Sequence, residues 1–212
     1  MDREQVAERL NEQLAACGQA ALEASMAGRF ADYLALLLRW NARTNLTAIR
    51  DEEGILSRHF VESIACARAL PAGIGTLLDF GSGAGFPGLP IALCRSEIAV
   101  TLAESQGKKA AFLNEAVRVL GLTASVFAGR AETLPVEFDC VTLRAVDRME
   151  LALRSGGQLV RAGGYLAAMT SQVEFEVIKS AAGGSFVWRA PMALPGSETA
   201  LLALAQKGGG EF

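Results

Sequence analysis

The segment Thr76-Leu77-Leu78-Asp79-Phe80-Gly81-Ser82-Gly83-Ala84-Gly85 constrains the fold of this chain more than any other. Its first five residues read as a buried strand, and three glycines at alternate positions follow directly. Alternate glycines let a backbone pass close to a ligand where any Cβ would collide. The spacing is G-x-G-x-G, whereas the dinucleotide fingerprint puts its third glycine one residue later, where Phe86 stands. Taken alone, such a loop is compatible with a nicotinamide enzyme or a tight structural turn.

Upstream of Thr76 the pattern is helical. Val6, Leu10 and Leu14 repeat at helical spacing, as do Leu34, Leu37, Leu38 and Asn41. A further segment begins near Asp51, carries Leu56, Phe60, Ile64 and Ala67 on one face, and stops before Pro71-Ala72-Gly73. Downstream, strands alternate with helices. Strands are expected at Thr76–Phe80, Ile98–Glu104, Ala124–Ala128, Phe138–Arg144 and Gly164–Met169, with strand-like runs at Ser185–Arg189 and Ala200–Ala205. Helices are expected at Pro87–Arg95, Gly107–Leu120 and Asp147–Ala162, with Pro87 suited to a first helical turn. Alternation of this kind predicts an α/β doubly wound, mostly parallel sheet covered by helices on both faces. The expected division is an N-terminal helical cap over 1–72, a sheet domain over 73–206 and a flexible tail over 207–212.

With 212 residues, 51 % of them hydrophobic and 20 % charged, the chain can bury one sizeable core. Cys17, Cys66, Cys94 and Cys140 have no C-x-x-C spacing, and His59 is the sole histidine, so no metal site is expected. The charged start lacks the apolar segment of a signal peptide, and the run Tyr33–Leu38 is too short to cross a bilayer. A cytoplasmic protein without membrane association is expected.

In a doubly wound sheet the ligand lies beyond the carboxyl ends of the strands. Four features fall there. The first is the loop Gly81–Gly85 with Phe86, behind Asp79; an acidic residue on the strand before G-x-G-x-G is the arrangement of S-adenosylmethionine-dependent methyltransferases. The second is Glu104, roughly 20 residues on, where a carboxylate can accept both ribose hydroxyls. The third is Gly129-Arg130-Ala131-Glu132, a turn able to present backbone groups to an adenine ring, or an ordinary turn. The fourth is Arg144, either paired to a neighbouring acid or aimed into the cleft; position favours the cleft. No Asn/Asp-Pro-Pro-aromatic sequence, Pro-Cys pair or acidic cluster accompanies them, and Leu143-Arg144-Ala145 stands where many methyltransferases keep an acid, base or nucleophile. Such a site suits an acceptor atom with a free lone pair, guanine N7 being one.

The chain resembles the bacterial RsmG family, also called glucose-inhibited division protein B, of small-subunit ribosomal RNA guanine-N7 methyltransferases. The resemblance runs from about Leu36 to about Gln172. It is carried by Leu38-Arg39-Trp40-Asn41-Ala42-Arg43-Thr44-Asn45-Leu46-Thr47, Arg58-His59-Phe60-Val61-Glu62-Ser63-Ile64, Gly81–Gly88 and Glu104–Leu113. It implies a Rossmann-like class I methyltransferase fold and a monomer acting on 16S ribosomal RNA or the small ribosomal subunit. It also implies cofactor contacts at Gly81, Phe86, Ala131, Glu132, Arg144 and Glu104. The chain departs from the family at Leu143, Met169-Thr170-Ser171 and Gly196-Ser197-Glu198-Thr199, the second removing a common lysine.

Candidate RNA-binding residues are Arg39, Arg43, Asn45, Arg58, Lys108, Lys109 and Arg148; a net charge of −3 does not oppose this, because phosphate affinity follows local clustering. Solvated helix faces are the competing reading. Trp40 is expected to pack the cap onto the sheet and not to stack on a base. Asn45 and Thr47 either fix a loop or line the cleft, and His59 is expected to bond locally to Glu62. Two rival functions are a small-molecule methyltransferase, with the helices as a lid, and a cofactor-binding ribosome-associated protein without turnover.

Overall fold

The computed structural model describes residues 1–146 and 149–208. Helices α1 (Arg3–Ala16) and α2 (Ala24–Asn41) come first. One turn of α3 (Glu52–Gly54) then runs through a π-helical segment (Ile55–Val61) into α4 (Glu62–Ala69). Strand β1 (Thr76–Phe80), α5 (Gly88–Cys94), β2 (Ala99–Ala103), α6 (Gly107–Val119), β3 (Ser125–Phe127) and a 3-10 turn (Ala131–Thr133) follow. The chain continues as β4 (Phe138–Arg144), α7 (Met149–Gln158), β5 (Val160–Ser171) and α8 (Gln172–Ala182). It closes with β6 (Phe186–Trp188), β7 (Met192–Ala193) and β8 (Ala200–Lys207).

The strands form one sheet in the order β3-β2-β1-β4-β5-β8-β6, with β7 paired onto β8. β1 to β5 run parallel to one another, and β8 inserts antiparallel between β5 and β6. The chain steps outward from β1 through β2 to β3, then returns to the other side of β1 as β4. The order therefore reverses between β1 and β4, and a ligand crevice belongs beyond their carboxyl ends. Successive residues of β1 serve opposite faces, as strand periodicity requires. Leu77 joins a buried cluster with Leu10, Phe30, Leu37 and Ile64 of the N-terminal helices, whereas Leu78 joins Val141, Leu153 and Phe175 on the other face. Arg29 of α2 donates from Nε to the Leu120 carbonyl at 3.0 Å, where the C-terminal end of α6 attracts a cation.

Several expectations need correction. The helix expected over Asp147–Ala162 ends at Gln158, and β5 begins at Val160, not at Gly164. The glycines responsible, Gly163 and Gly164, lie inside the strand at a bulge where the register with β4 shifts; a Cβ on Gly164 would come within 2.8 Å of the Asp139 carbonyl. The run 172–182, unread as structure, is α8, started by a capping box in which Ser171 accepts from the Glu174 N–H and Glu174 accepts in return. Pro87 sits at the N-cap of α5 and not within its first turn. Of the expected tail, Lys207 ends β8, and residues 209–212 lie outside the described residues.

Candidate active site

The loop after β1 is pinned from several sides. Gly81 and Gly85 have φ of +73° and +91°, values that favour glycine, and a Cβ on Gly85 would lie 2.4 Å from Leu89 Cδ1 and 2.8 Å from the Tyr33 hydroxyl. The Ser82 N–H donates to the Ala103 carbonyl at 2.9 Å, stitching the loop to β2. The Tyr33 hydroxyl donates to the Ala84 carbonyl at 2.5 Å. Glu104, at the end of β2, accepts the Gly83 N–H at 2.9 Å on one oxygen and the Gln106 N–H at 2.7 Å on the other.

Asp79 stands beneath this loop and does not face the cleft. Its carboxylate accepts the Gly88 N–H at 3.2 Å and the Thr142 hydroxyl at 2.9 Å, and Asp79 is 1 % exposed. Burial pushes its pKa up to about 6, against the pull of the hydrogen bonds from Thr142, Ser82 and Gly88. Asp79 thus supports the loop from beneath.

The cleft has two lobes that share Gly81, Ser105 and Val146. The larger, about 500 Å³, lies between the loop Leu46–Ile49, Gly81–Ala84, Glu104 and Arg144; Gly83, Phe86, His59 and Lys109 also line it. The smaller, about 380 Å³, is lined by Gly129, Ala131 and Glu132 after β3 and by the start of α7. Ala131 is buried and Glu132 exposed. The wall Leu46–Ile49 is held by Asn41, whose Oδ1 accepts the N–H groups of Leu46 and Thr47 at 2.9 and 3.1 Å and whose Nδ2 donates to the Thr47 carbonyl. Thr47 fixes the loop as well, its hydroxyl accepting the Ile49 N–H at 3.2 Å, and also lines the lobe, whereas Asn45 is exposed and accepts from Arg50 at 2.7 Å.

The π-helical segment decides where His59 and Glu62 point. They do not bond to each other. His59 Nε2 lies 2.7 Å from the Thr47 hydroxyl, and its ring stacks on Phe86 at 4.6 Å between centroids. Burial, reinforced by Arg144 and Arg58, drives the His59 pKa down to about 3, so it is a neutral wall of the cleft near pH 7. Glu62 instead meets Arg144, 82 residues away, at 2.6 Å. Both readings of Arg144 hold at once: it lines the larger lobe and is paired to an acid. Burial lowers its pKa, with Glu62 opposing the shift. Ala145 follows it with φ +47°, strained for a non-glycine residue, at the mouth of the cleft.

The cations divide. Lys109 lines the larger lobe, and Lys108 is exposed beside it at the start of α6. Arg43 is exposed at the end of α2, and Arg58 is half exposed with its Nε on Glu62 at 3.0 Å. Arg39 is committed to Glu115 at 2.7 Å, and the Trp40 indole N–H donates to the same carboxylate, docking α2 on α6. Tyr33 is fully buried and cannot stack on a base. Arg148 lies outside the described residues. Among the described residues no cluster of three or more His, Cys, Asp and Glu could hold a metal, and no helix is long and apolar enough to cross a membrane.

Comparison with known proteins identifies the family and the fold. The family model described as "GidB: rRNA small subunit methyltransferase G" matches residues 26–185. The chain is similar to the ribosomal RNA small subunit methyltransferase G of Xanthomonas euvesicatoria, 42 % identical over 182 residues and covering 84 % of this chain and 85 % of the other. The protein of the same name from Stenotrophomonas maltophilia is 43 % identical over 195 residues, 90 % of each. A SAM-dependent methyltransferase from Aquifex aeolicus shares the fold, with a TM-score of 0.57 at 17 % identity over 73 % of this chain and 93 % of that one. The family match across residues 26–185, with relatives at 42 % and 43 % identity, means that this chain belongs to the GidB family, rRNA small subunit methyltransferase G.

Proposed function

We propose that this protein transfers a methyl group from S-adenosylmethionine to N7 of a guanine in 16S ribosomal RNA, acting as a cytoplasmic monomer and without a general base. One observation carries the reading. The larger lobe at the sheet's switch point is walled by residues of the matched stretch, and the acids and histidine in and behind it are otherwise engaged: Glu104 by backbone amides, Glu62 by two arginines, His59 by burial. A site of that kind fits an acceptor that has no proton to surrender.

The residues present fit the cofactor. Gly81 and Gly83, both at positive φ, line a cradle with bare backbone, Glu104 borders it, and Ala131 and Glu132 flank a second lobe for a flat ring. When bound, S-adenosylmethionine supplies an electrophilic methyl group. Gly81, Gly83 and Phe86 would form the floor of its site, Glu104 would accept from the ribose, and Arg144 would hold it from the opposite wall. Arg43, Arg58, Lys108 and Lys109 hold RNA phosphates, while Thr47, Ile49 and the His59–Phe86 stack exclude water and orient the base. Positioning of this sort is worth about 7–11 kcal/mol of the barrier.

The decisive assay incubates the protein and labelled S-adenosylmethionine with small subunits lacking the modification, and separately with their deproteinised RNA. N7-methylguanosine in the digest supports the reading; cofactor binding without transfer to either substrate points to a small-molecule acceptor or a non-enzymatic role. The rate at saturating substrate should also be flat between about pH 7 and 9, because no proton must be removed first. A bell-shaped profile with a limb near neutrality would bring a general base back.

A further inference from the structure

Glu62 is 2 % exposed and carries two arginines. Its Oε1 accepts from Arg58 Nε at 3.0 Å and its Oε2 from Arg144 Nη2 at 2.6 Å. Arg144 Nη2 donates as well to the Arg58 carbonyl at 2.6 Å, and Nη1 to the Ser63 hydroxyl at 3.3 Å. All three acceptors come from residues 58–63, where the π-helical segment passes into α4 and the Glu62 N–H turns to the His59 carbonyl. π-Helical turns of this sort recur at functional sites.

A guanidinium has five N–H donors. Three are taken here, so Nε–H and one Nη1–H have no partner among the described residues. Holding Nη2 and Nη1 of a planar group on fixed acceptors sets the orientation of the whole group, and Arg144 borders the larger lobe. Burying a carboxylate between two arginines is also a costly way to dock a helix on a strand. Phe60 and Ile64, on the same helical stretch and fully buried in the apolar cluster that includes Leu77 of β1, already anchor that stretch with apolar surface.

We propose that Glu62 is a positioning residue: with the Arg58 carbonyl and the Ser63 hydroxyl, it fixes the Arg144 guanidinium so that a donor left free meets the ligand of the larger lobe. This rests on the reading of that lobe as part of the S-adenosylmethionine site. Arg58, the exposed member of the trio, shares the same carboxylate, so the site that grips the cofactor and a candidate phosphate contact are joined through one buried group.

The test is Glu62→Gln, which keeps volume but turns an amide N–H toward one of the guanidinium donors. Titration calorimetry with S-adenosylhomocysteine, well below the melting temperature of each protein, should give about tenfold weaker binding, the scale of one lost charge-assisted contact. Glu62→Asp, which keeps the charge, should recover part of it. In turnover assays the KM for S-adenosylmethionine should rise more than kcat falls. A purely structural role would lower the melting temperature and leave the affinity of the folded protein alone; unchanged affinity in Glu62→Gln overturns the proposal. Should that variant not fold, Glu62→Asp decides: weaker binding supports the assignment and wild-type binding removes it. Failure of the wild-type protein itself to bind S-adenosylhomocysteine would refute the cofactor site, and this inference with it.

Discussion

Replacing Glu104 by alanine is expected to weaken binding of S-adenosylmethionine by about 10- to 100-fold, read by calorimetry, while leaving the fold intact. Two effects add. The first is loss of the acceptor proposed to take the ribose hydroxyls. The second is already visible without a ligand: the carboxylate accepts the Gly83 and Gln106 N–H groups at 2.9 and 2.7 Å. Removing it orphans two backbone donors, one of them in the middle of the glycine loop, and hydrogen bonds to a charged group are worth about 1.5–3 kcal/mol each. Glutamine is not a gentle substitute here. Its single oxygen can serve one amide, and its NH2 then faces the other donor, so Glu104→Gln should bind closer to alanine than to wild type. Wild-type affinity in both variants would remove Glu104 from the cofactor site and show that the loop holds its shape by other means.

The strand-and-glycine unit was legible because its information is local. Five apolar-rich residues, an acid and alternate glycines lie within ten positions, and β1 and its loop occur where that pattern puts them. Strand ends carried Glu104 and Arg144 into view for the same reason: in a parallel sheet, position along the strand is position in space. What escaped was whatever depends on partners distant in sequence. Glu62 reads as a helix-face residue beside His59, and only the π-helical turn and the packing of α4 on β4 bring it to Arg144. Asp79 was grouped with the cofactor residues by adjacency, although strand alternation turned it beneath the loop, onto Gly88 and Thr142. Asn41, taken as part of an apolar face, is buried because it serves as acceptor and donor for the cleft wall. For α8 the signal was present and local: Ser171 and Glu174 at capping-box spacing ahead of Phe175 and Ile178. Gly163 and Gly164 misled in the opposite sense, as a bulge inside a strand has the composition of a break.

The second large effect is expected at Tyr33, which joins the cap to the cofactor loop. It is fully buried, its ring lies 5.1 Å from Phe60, 5.3 Å from Phe86 and 6.5 Å from Phe112, and its hydroxyl donates to the Ala84 carbonyl. Tyr33→Ala removes the ring from the middle of this stack, and large-to-small changes of aromatic core residues cost about 3–5 kcal/mol. For a domain of this size that should lower the melting temperature by roughly 6–20 °C, taking about 2–4 °C per kcal/mol. The cavity opens directly behind Phe86 and Gly85, so cofactor affinity should fall with stability. Tyr33→Phe separates the two contributions. It keeps the packing and loses only one hydrogen bond, leaving the Ala84 carbonyl unpaired at a cost of about 1–3 kcal/mol. The phenylalanine variant should therefore remain folded and bind S-adenosylmethionine more weakly than wild type, because a carbonyl of the glycine loop has lost its tether. Unchanged affinity in that variant would mean that the cap stabilises the sheet without shaping the loop, and that only the aromatic contacts couple them.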